Sequence, residues 1–297
     1  MSYLPLHVSQ PCVFSGRSSP YNDAAYVVIG APYDRTSTYR SGSRFAPSAI
    51  REASANIETY SMRTGIDVED LEICDAGDVN VTDDASETVE RIRLVIHQIK
   101  SDGKIPVMLG GEHTVSLGAV RAITDIDVVS FDAHMDLRSE YNGNSFSHAS
   151  VMRRISEHVG SDRIVQVGTR AVCKEELEFS RANRVSNIPA MDLHGNAVEN
   201  SIHVLRKILD GRRDLYVTVD MDVLDPAYAP AVGNPEADGL CPNILLSLLQ
   251  EVCTRNVIAI DLTEVTPHYD TGVTAVQAAK ILFESLCYIE ARRRSGP

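Results

Sequence analysis

Asp127-Val128-Val129-Ser130-Phe131-Asp132-Ala133-His134-Met135-Asp136 joins two patterns end to end. Asp127 to Phe131 is a short apolar run with no polar face, as in a strand covered on both sides within a parallel sheet. Directly after it, Asp132, His134 and Asp136 recur at every second position. Side chains two apart in extended chain point the same way, so these three can converge just past the strand end. The pattern returns twice. Leu215 to Val219 reads as a strand and leads into Asp220-Met221-Asp222, and Ile105 to Leu109 leads into Gly110-Gly111-Glu112-His113.

Outward from these stretches, strand and helix signals alternate. Tyr26 to Ala31, Ile164 to Gly168 and Asn256 to Asp261 read as further strands. Helical spacing runs through Glu87 to Lys100, where Val89, Ile92, Val95, Ile96 and Ile99 share a face. His113 to Ile123, Ser150 to His158, Ser201 to Leu209, Pro242 to Thr254 and Ala275 to Arg292 also read as helices, and Pro47 suits the first turn of another. Such alternation predicts an α/β chain, a central parallel sheet between two helical layers. Sites in such folds gather beyond the carboxyl ends of the strands, where all six candidate ligands fall. The Pro- and Gly-rich segment Asp222 to Cys241 is a long loop right after two of them, and is expected to wall the site. No linker, repeat or composition shift divides the 297 residues, so one domain over 1–297 is expected, with 1–24 as an N-terminal extension.

The charge balance of -13 argues against a nucleic-acid partner and suits a cationic substrate. No apolar run approaches the length of a membrane span, and the first residues lack a secretory pattern, so no membrane partner and a cytoplasmic location are expected. The six cysteines are scattered without a CxxC pair, which argues against a disulfide framework or structural zinc, and Cys253 and Cys287 read as buried small hydrophobes. Arg292, Arg293 and Arg294 complement a helix C-terminus.

Any single Asp here would ordinarily be a cap or turn residue, and any single His a packed side chain. Three clusters at strand ends do not fit those roles. Four carboxylates in one poorly solvated place repel strongly, and two divalent cations would cancel their charge. Oxygen-rich donors with two imidazoles suit Mn²⁺, Mg²⁺ or Fe²⁺ better than zinc. Such a pair can supply a nucleophile at neutral pH. Gly110-Gly111 is not a nucleotide loop, because GGEHTVSLG has neither a GxGxxG pattern nor a Walker lysine, and is expected to let the chain bend before His113.

GGEH, SFDAHMD, TVDMDVLDPAYAP and AIDLTEVTP resemble, in order and spacing, the motifs of the ureohydrolase (arginase/agmatinase) family. The stretch Val28 to Asp34, with Arg44, Pro47 and Ile50-Arg51, is similar too, and the likeness runs from about Ala25 to Leu286. It implies an arginase-like three-layer fold, two Mn²⁺ per subunit, and a homo-oligomer, trimer or hexamer. By motif position, one ion would take His113, Asp132, Asp136 and Asp220, and the other Asp132, His134, Asp220 and Asp222, with Asp132 and Asp220 bridging. The implied reaction is hydrolysis of a guanidino group to urea and an amine. A guanidinium carbon is a poor electrophile, so it needs a strong nucleophile, a fixed orientation and a proton for the leaving amine. Glu264 matches the glutamate that holds the planar N–H fork. His148 matches the histidine that passes protons to the amine, and Asp136 could orient the attacking hydroxide. His7, His97, His158, His194, His203 and His268 lack motif support.

The stretch Leu137 to Asn144 followed by SHASVMRR looks more like agmatinases, archaeal-type ones in particular, than arginases. Agmatine, a small cationic guanidino substrate, ranks first, 4-guanidinobutyrate and aminopropylagmatine next, and arginine last. Glu140, Glu236 and Asp238 are candidates for the tail amine, whereas Arg138 would suit a carboxylate tail or pair with a nearby acid. Asn234 stands where the family usually has threonine. A mononuclear zinc deacetylase of related fold should lack both His113 and Glu264, and a non-catalytic relative should have lost ligands; neither pattern is found.

Overall fold

Strand β1 (Tyr26–Ala31) is buried at every position, the first consequence of its unbroken apolar run. The computed structural model describes residues 12–195, 197–212 and 214–296. His7 and the first part of the 1–24 extension lie outside the described residues. Six of the eight strands of the main sheet are those the sequence predicts: β1, β5 (Ile105–Gly110), β6 (Asp127–Phe131), β7 (Ile164–Thr169), β9 (Asp214–Asp220) and β10 (Asn256–Thr263). The two that escape prediction are the edges, β4 (Ile73–Asp78) and β8 (Ser186–Pro189). Edge strands bury less, so Ile-Cys-Asp-Ala-Gly-Asp and Ser-Asn-Ile-Pro carry too little apolar signal to read. A separate two-stranded hairpin joins β2 (Tyr60–Ser61) to β3 (Ile66–Asp67).

The sheet order is β4-β1-β5-β10-β9-β6-β7-β8 and every pairing is parallel. Alternate residues feed two apolar layers. Val28, Val129, Val217 and Ile260 pack with helices α1 (Ala46–Ser54), α6 (Ala197–Ile208), α7 (Pro242–Val252) and α8 (Val273–Arg294). Val27, Val128, Tyr216 and Ala259 pack with α2 (Ala85–Ser101), α3 (Ser116–Arg121) and α4 (Val151–Val159). This is the expected three-layer α/β/α arrangement. Helix α5 (Lys174–Ala182), with a weaker apolar stripe, escapes the sequence reading. The helix expected over His113 to Ile123 splits into a 3₁₀ turn at His113–Val115 and α3. Among the described residues no helix is long and apolar enough to cross a membrane. All six cysteines are free, with Cys253 and Cys287 buried. Arg293 and Arg294 pair with Glu290 one turn back in α8.

The chain leaves β5 for β6 and only later returns to fill the gap with β9 and β10. This places β5, β10, β9 and β6 side by side at the centre. Crevices beyond such a crossover are where ligands bind in open α/β sheets.

The glycines before His113 act differently from expectation. Neither has a left-handed backbone; both are needed for close approach. A Cβ on Gly111 would overlap the Tyr33 carbonyl oxygen, and one on Gly110 would lie 2.6 Å from Thr263 Cγ2. Gly111 O accepts the Glu264 amide at 2.9 Å and Tyr33 O accepts the Glu112 amide at 2.8 Å, so this crossing ties the ends of β1, β5 and β10 together. Among the left-handed non-glycine residues are Asp136 (φ 51) and Glu264 (φ 66), a conformation that costs energy and occurs in over-determined places. Gly111→Ala should therefore lower stability by about 1–3 kcal/mol, the usual cost of forcing atoms into a packed site. A urea-denaturation midpoint equal to that of the unaltered chain would show that the crossing tolerates the methyl group.

Candidate metal centre

The ends of β5, β6 and β9 bring all six candidate ligands together, and β10 adds Glu264 beside them. His113 Nδ1 lies 3.1 Å from Asp132 Oδ2, 3.2 Å from Asp136 Oδ2 and 3.4 Å from Asp220 Oδ2. His134 Nδ1 lies 3.0 Å from Asp222 Oδ2 and 3.6 Å from Asp132 Oδ1. Two donor groups result, one around each imidazole, and Asp132 belongs to both through opposite oxygens. Asp220 contributes to the His113 group, and its other oxygen accepts the Asp222 amide at 2.9 Å.

The environment is short of positive charge. Burial pushes the Asp136 carboxyl up to about 7, with Asp132 beside it adding to the shift. Burial and the carboxylates of Asp222 and Asp132 push Asp220 well above its ordinary value, and burial with Glu112 does the same to Glu264. Burial would lower the His113 and His134 rings, yet the surrounding carboxylates hold both well above theirs. Left to itself, the chain would have to take up protons here. A pair of dications would replace them. The polar atoms agree: His113 Nδ1 and Asp132 Oδ2 are buried with no hydrogen-bond partner, although both face the middle of the cluster. Buried polar atoms are rarely left this way. The donor set fits a binuclear metal site.

Neighbours set the ligands' directions. His113 Nε2 is 3.0 Å from Thr218 Oγ1, which leaves Nδ1 facing the carboxylates; such outer partners commonly orient a ligating histidine. The His113 amide donates to Glu264 Oε1 at 2.8 Å, and the Ala133 amide to Asp222 Oδ1 at 3.1 Å. Behind Thr218, the Tyr216 hydroxyl donates to the fully buried Asp261. Sequence reading missed Thr218, Tyr216 and Asp261. Two signals were available: Tyr216 and Thr218 precede Asp220 in steps of two and so share its face, and Asp261 is an acid inside an apolar strand.

The cluster floors a cavity of about 450 Å³ whose lining includes Arg138, Tyr141, His148, Glu176, Glu236 and Glu264. Burial, then the charges of His134 and His113, push the His148 ring down to about 4. Arg138 lies 3.9 Å from Glu176 Oε2 and over the Tyr141 ring. Of the three acids proposed for a substrate tail, Glu236 lines this cavity with Asn234, Asp238 lines a neighbouring one, and Glu140 is exposed outside both. The long loop after Asp222 does form a wall. Arg170, which the sequence did not single out, holds it by donating to Asp222 O at 2.7 Å, Glu236 O at 2.8 Å and Ala237 O at 2.9 Å.

A three-layer α/β/α fold with a candidate binuclear metal site at its central strand ends defines a class of metal-dependent hydrolase-like proteins. The chain belongs to the Arginase family, whose sequence model matches residues 24–287. It is 36% identical to an agmatinase of Bacillus subtilis over 92% of this chain and 95% of that one. It is also 36% identical to an N(1)-aminopropylagmatine ureohydrolase of Thermococcus kodakarensis, over 89% of this chain and 90% of the relative. The solved agmatine ureohydrolase of Thermoplasma volcanium superposes with a TM-score of 0.93 at 38% identity, covering 100% of both chains.

Because Asp132 faces both donor groups, Asp132→Ala should lose most metal at both positions, whereas Asp222→Ala should keep the ion of the His113 group. Elemental analysis of the purified variants reads this directly. Full metal content in Asp132→Ala would remove it from the ligand set.

Proposed function

We propose that this chain hydrolyses a guanidino compound, agmatine foremost, to urea and the free amine, using two Mn²⁺. The observation that carries the proposal is the sharing of one cavity by the two donor groups, the Glu264 carboxylate and the His148 ring. His113, Asp132, Asp136 and Asp220 would hold one ion, and Asp132, His134, Asp220 and Asp222 the other. When bound, the pair supplies Lewis acidity that makes hydroxide available near neutral pH.

The chain's own groups do the rest. A carboxylate at Glu264, in contact with the His113 amide, can accept two parallel N–H bonds and fix the guanidinium plane above the cluster. Asp136, the one ligand reached through a left-handed turn, has its carboxyl beside the donors and can take a hydrogen bond from the attacking oxygen. Attack forms a C–O bond at the guanidinium carbon, and collapse breaks the C–N bond to the tail. Both protons of the consumed water end on the departing nitrogen, so guanidinium and water give urea and an ammonium ion. His148, held neutral at neutral pH, is placed to take up the first proton and pass it to that nitrogen.

Tail preference follows from charge. Arg138 already faces Glu176 and stacks on Tyr141, so it is poorly free to bind a carboxylate. Glu236 on the same wall makes no ion pair among the described residues and suits an amine. Aminopropylagmatine is the second reading, on the strength of the Thermococcus relative. A homo-oligomer, trimer or hexamer, also belongs to this proposal.

Urea release from agmatine, aminopropylagmatine, 4-guanidinobutyrate and arginine by the Mn²⁺-loaded protein tests it; agmatine should be preferred, and no urea from any of them would refute it. Preference for the guanidino acid would instead free Arg138 as its anchor. His148→Ala should cut kcat by about 10²–10⁴-fold with both ions retained, the range for a lost general acid–base group. Glu264→Gln should act chiefly on kcat/KM, and unchanged use of agmatine by that variant would remove Glu264 from the substrate.

A further inference from the structure

Glu112, beside the candidate ligand His113, has no part in the proposed chemistry, yet it is fully buried. The Thr36 amide donates to Oε2 at 2.7 Å, the Thr36 hydroxyl to Oε1 at 2.6 Å, and the Thr114 hydroxyl to Oε1 at 2.7 Å. The amide can only donate, and an ionised carboxylate, which can only accept, satisfies it and both hydroxyl protons at once. Thr36 has a second neighbour. Its Oγ1 accepts the His148 amide at 3.0 Å and lies 3.1 Å from His148 Nδ1.

A hydroxyl has one proton to give. If Thr36 gives its proton to Glu112, its oxygen can only accept from His148, so Nδ1 must carry the ring proton. From this the geometry points to a positioning relay, Glu112 to Thr36 to His148. It fixes the imidazole as the Nδ1–H tautomer and leaves the Nε2 lone pair to take up the first proton and pass it to the leaving nitrogen. Thr36 and Glu112 are positioning residues in this scheme. The Tyr141 ring lies roughly perpendicular to the His148 ring at 6.2 Å between centroids. Thr36 lies on the loop after β1, Glu112 after β5 and His148 in a 3₁₀ turn before α4, so one hydroxyl joins three segments that meet only in the folded chain. The inference rests on the shuttle role proposed for His148 and supplies what that role lacks, a reason why Nε2 rather than Nδ1 is the proton-accepting nitrogen.

Neutron diffraction from crystals of the deuterium-exchanged, metal-loaded protein reads the tautomer without any assay. Deuterium on His148 Nδ1 and on Thr36 Oγ1 directed at Glu112 is the expected result; an unprotonated Nδ1, or deuterium on Glu112 directed at Thr36, would overturn the relay. In solution, Thr36→Val should lower kcat for urea release by about 10²-fold, within the range for general acid–base groups, while KM and bound metal stay near the parent values. Thr36→Ser, which keeps the hydroxyl, should restore kcat. Unchanged kcat in Thr36→Val, or equal losses in Thr36→Val and Thr36→Ser, would contradict the relay. Full activity in His148→Ala would instead refute the shuttle role itself, and the neutron result would still decide the hydrogen bonds.

Discussion

Mutual repulsion among buried carboxylates is the constraint on which this structure turns. Asp132, Asp136, Asp220 and Glu264 are buried and crowded at the ends of adjacent strands, and among the described residues a few backbone amides and two imidazoles stand against their charge. A fold that placed them so without cations would pay in protons or in stability. The parallel sheet makes the crowding unavoidable, because four central strands that run the same way must release their next residues at the same edge.

Rigidity around that edge comes from short, specific contacts. Gly110 and Gly111 let the chain after β1 cross the ends of β5 and β10 at backbone distance, and the Glu264 amide closes the crossing. Arg170 ties the long loop after Asp222 to the strand ends with a fan of bonds to carbonyl oxygens. The two left-handed residues at the site, Asp136 and Glu264, are held by these surroundings. Preorganisation of this kind suits chemistry in which a planar cation must be presented to a nucleophile in one orientation.

Much of this was legible in the chain itself. Unbroken Val/Ile runs identify the six inner strands, and period-two spacing after them singles out the candidate ligand clusters, since burial on both faces and strand geometry leave direct marks on composition. The features that were not legible depend on partners far apart in sequence. The edge strands β4 and β8 bury too little to show a pattern. Thr36, 76 residues from Glu112 and 112 from His148, looks like any loop threonine until the fold brings the three together. Gly111 suggests a turn by its identity, while its actual constraint is the Tyr33 backbone, which no local rule names. Glu140, Glu236 and Asp238 look alike as loop acids, and only the course of the loops separates the one that faces the cavity.

The central claim is that two cations take the place of protons between His113 and His134, with Asp132 shared. Anomalous diffraction from crystals grown with Mn²⁺ tests it most directly. The account predicts two peaks about 3.5–4 Å apart, as in other two-metal sites, one beside each imidazole and both within reach of Asp132. A single peak, or none within this cluster, would contradict it.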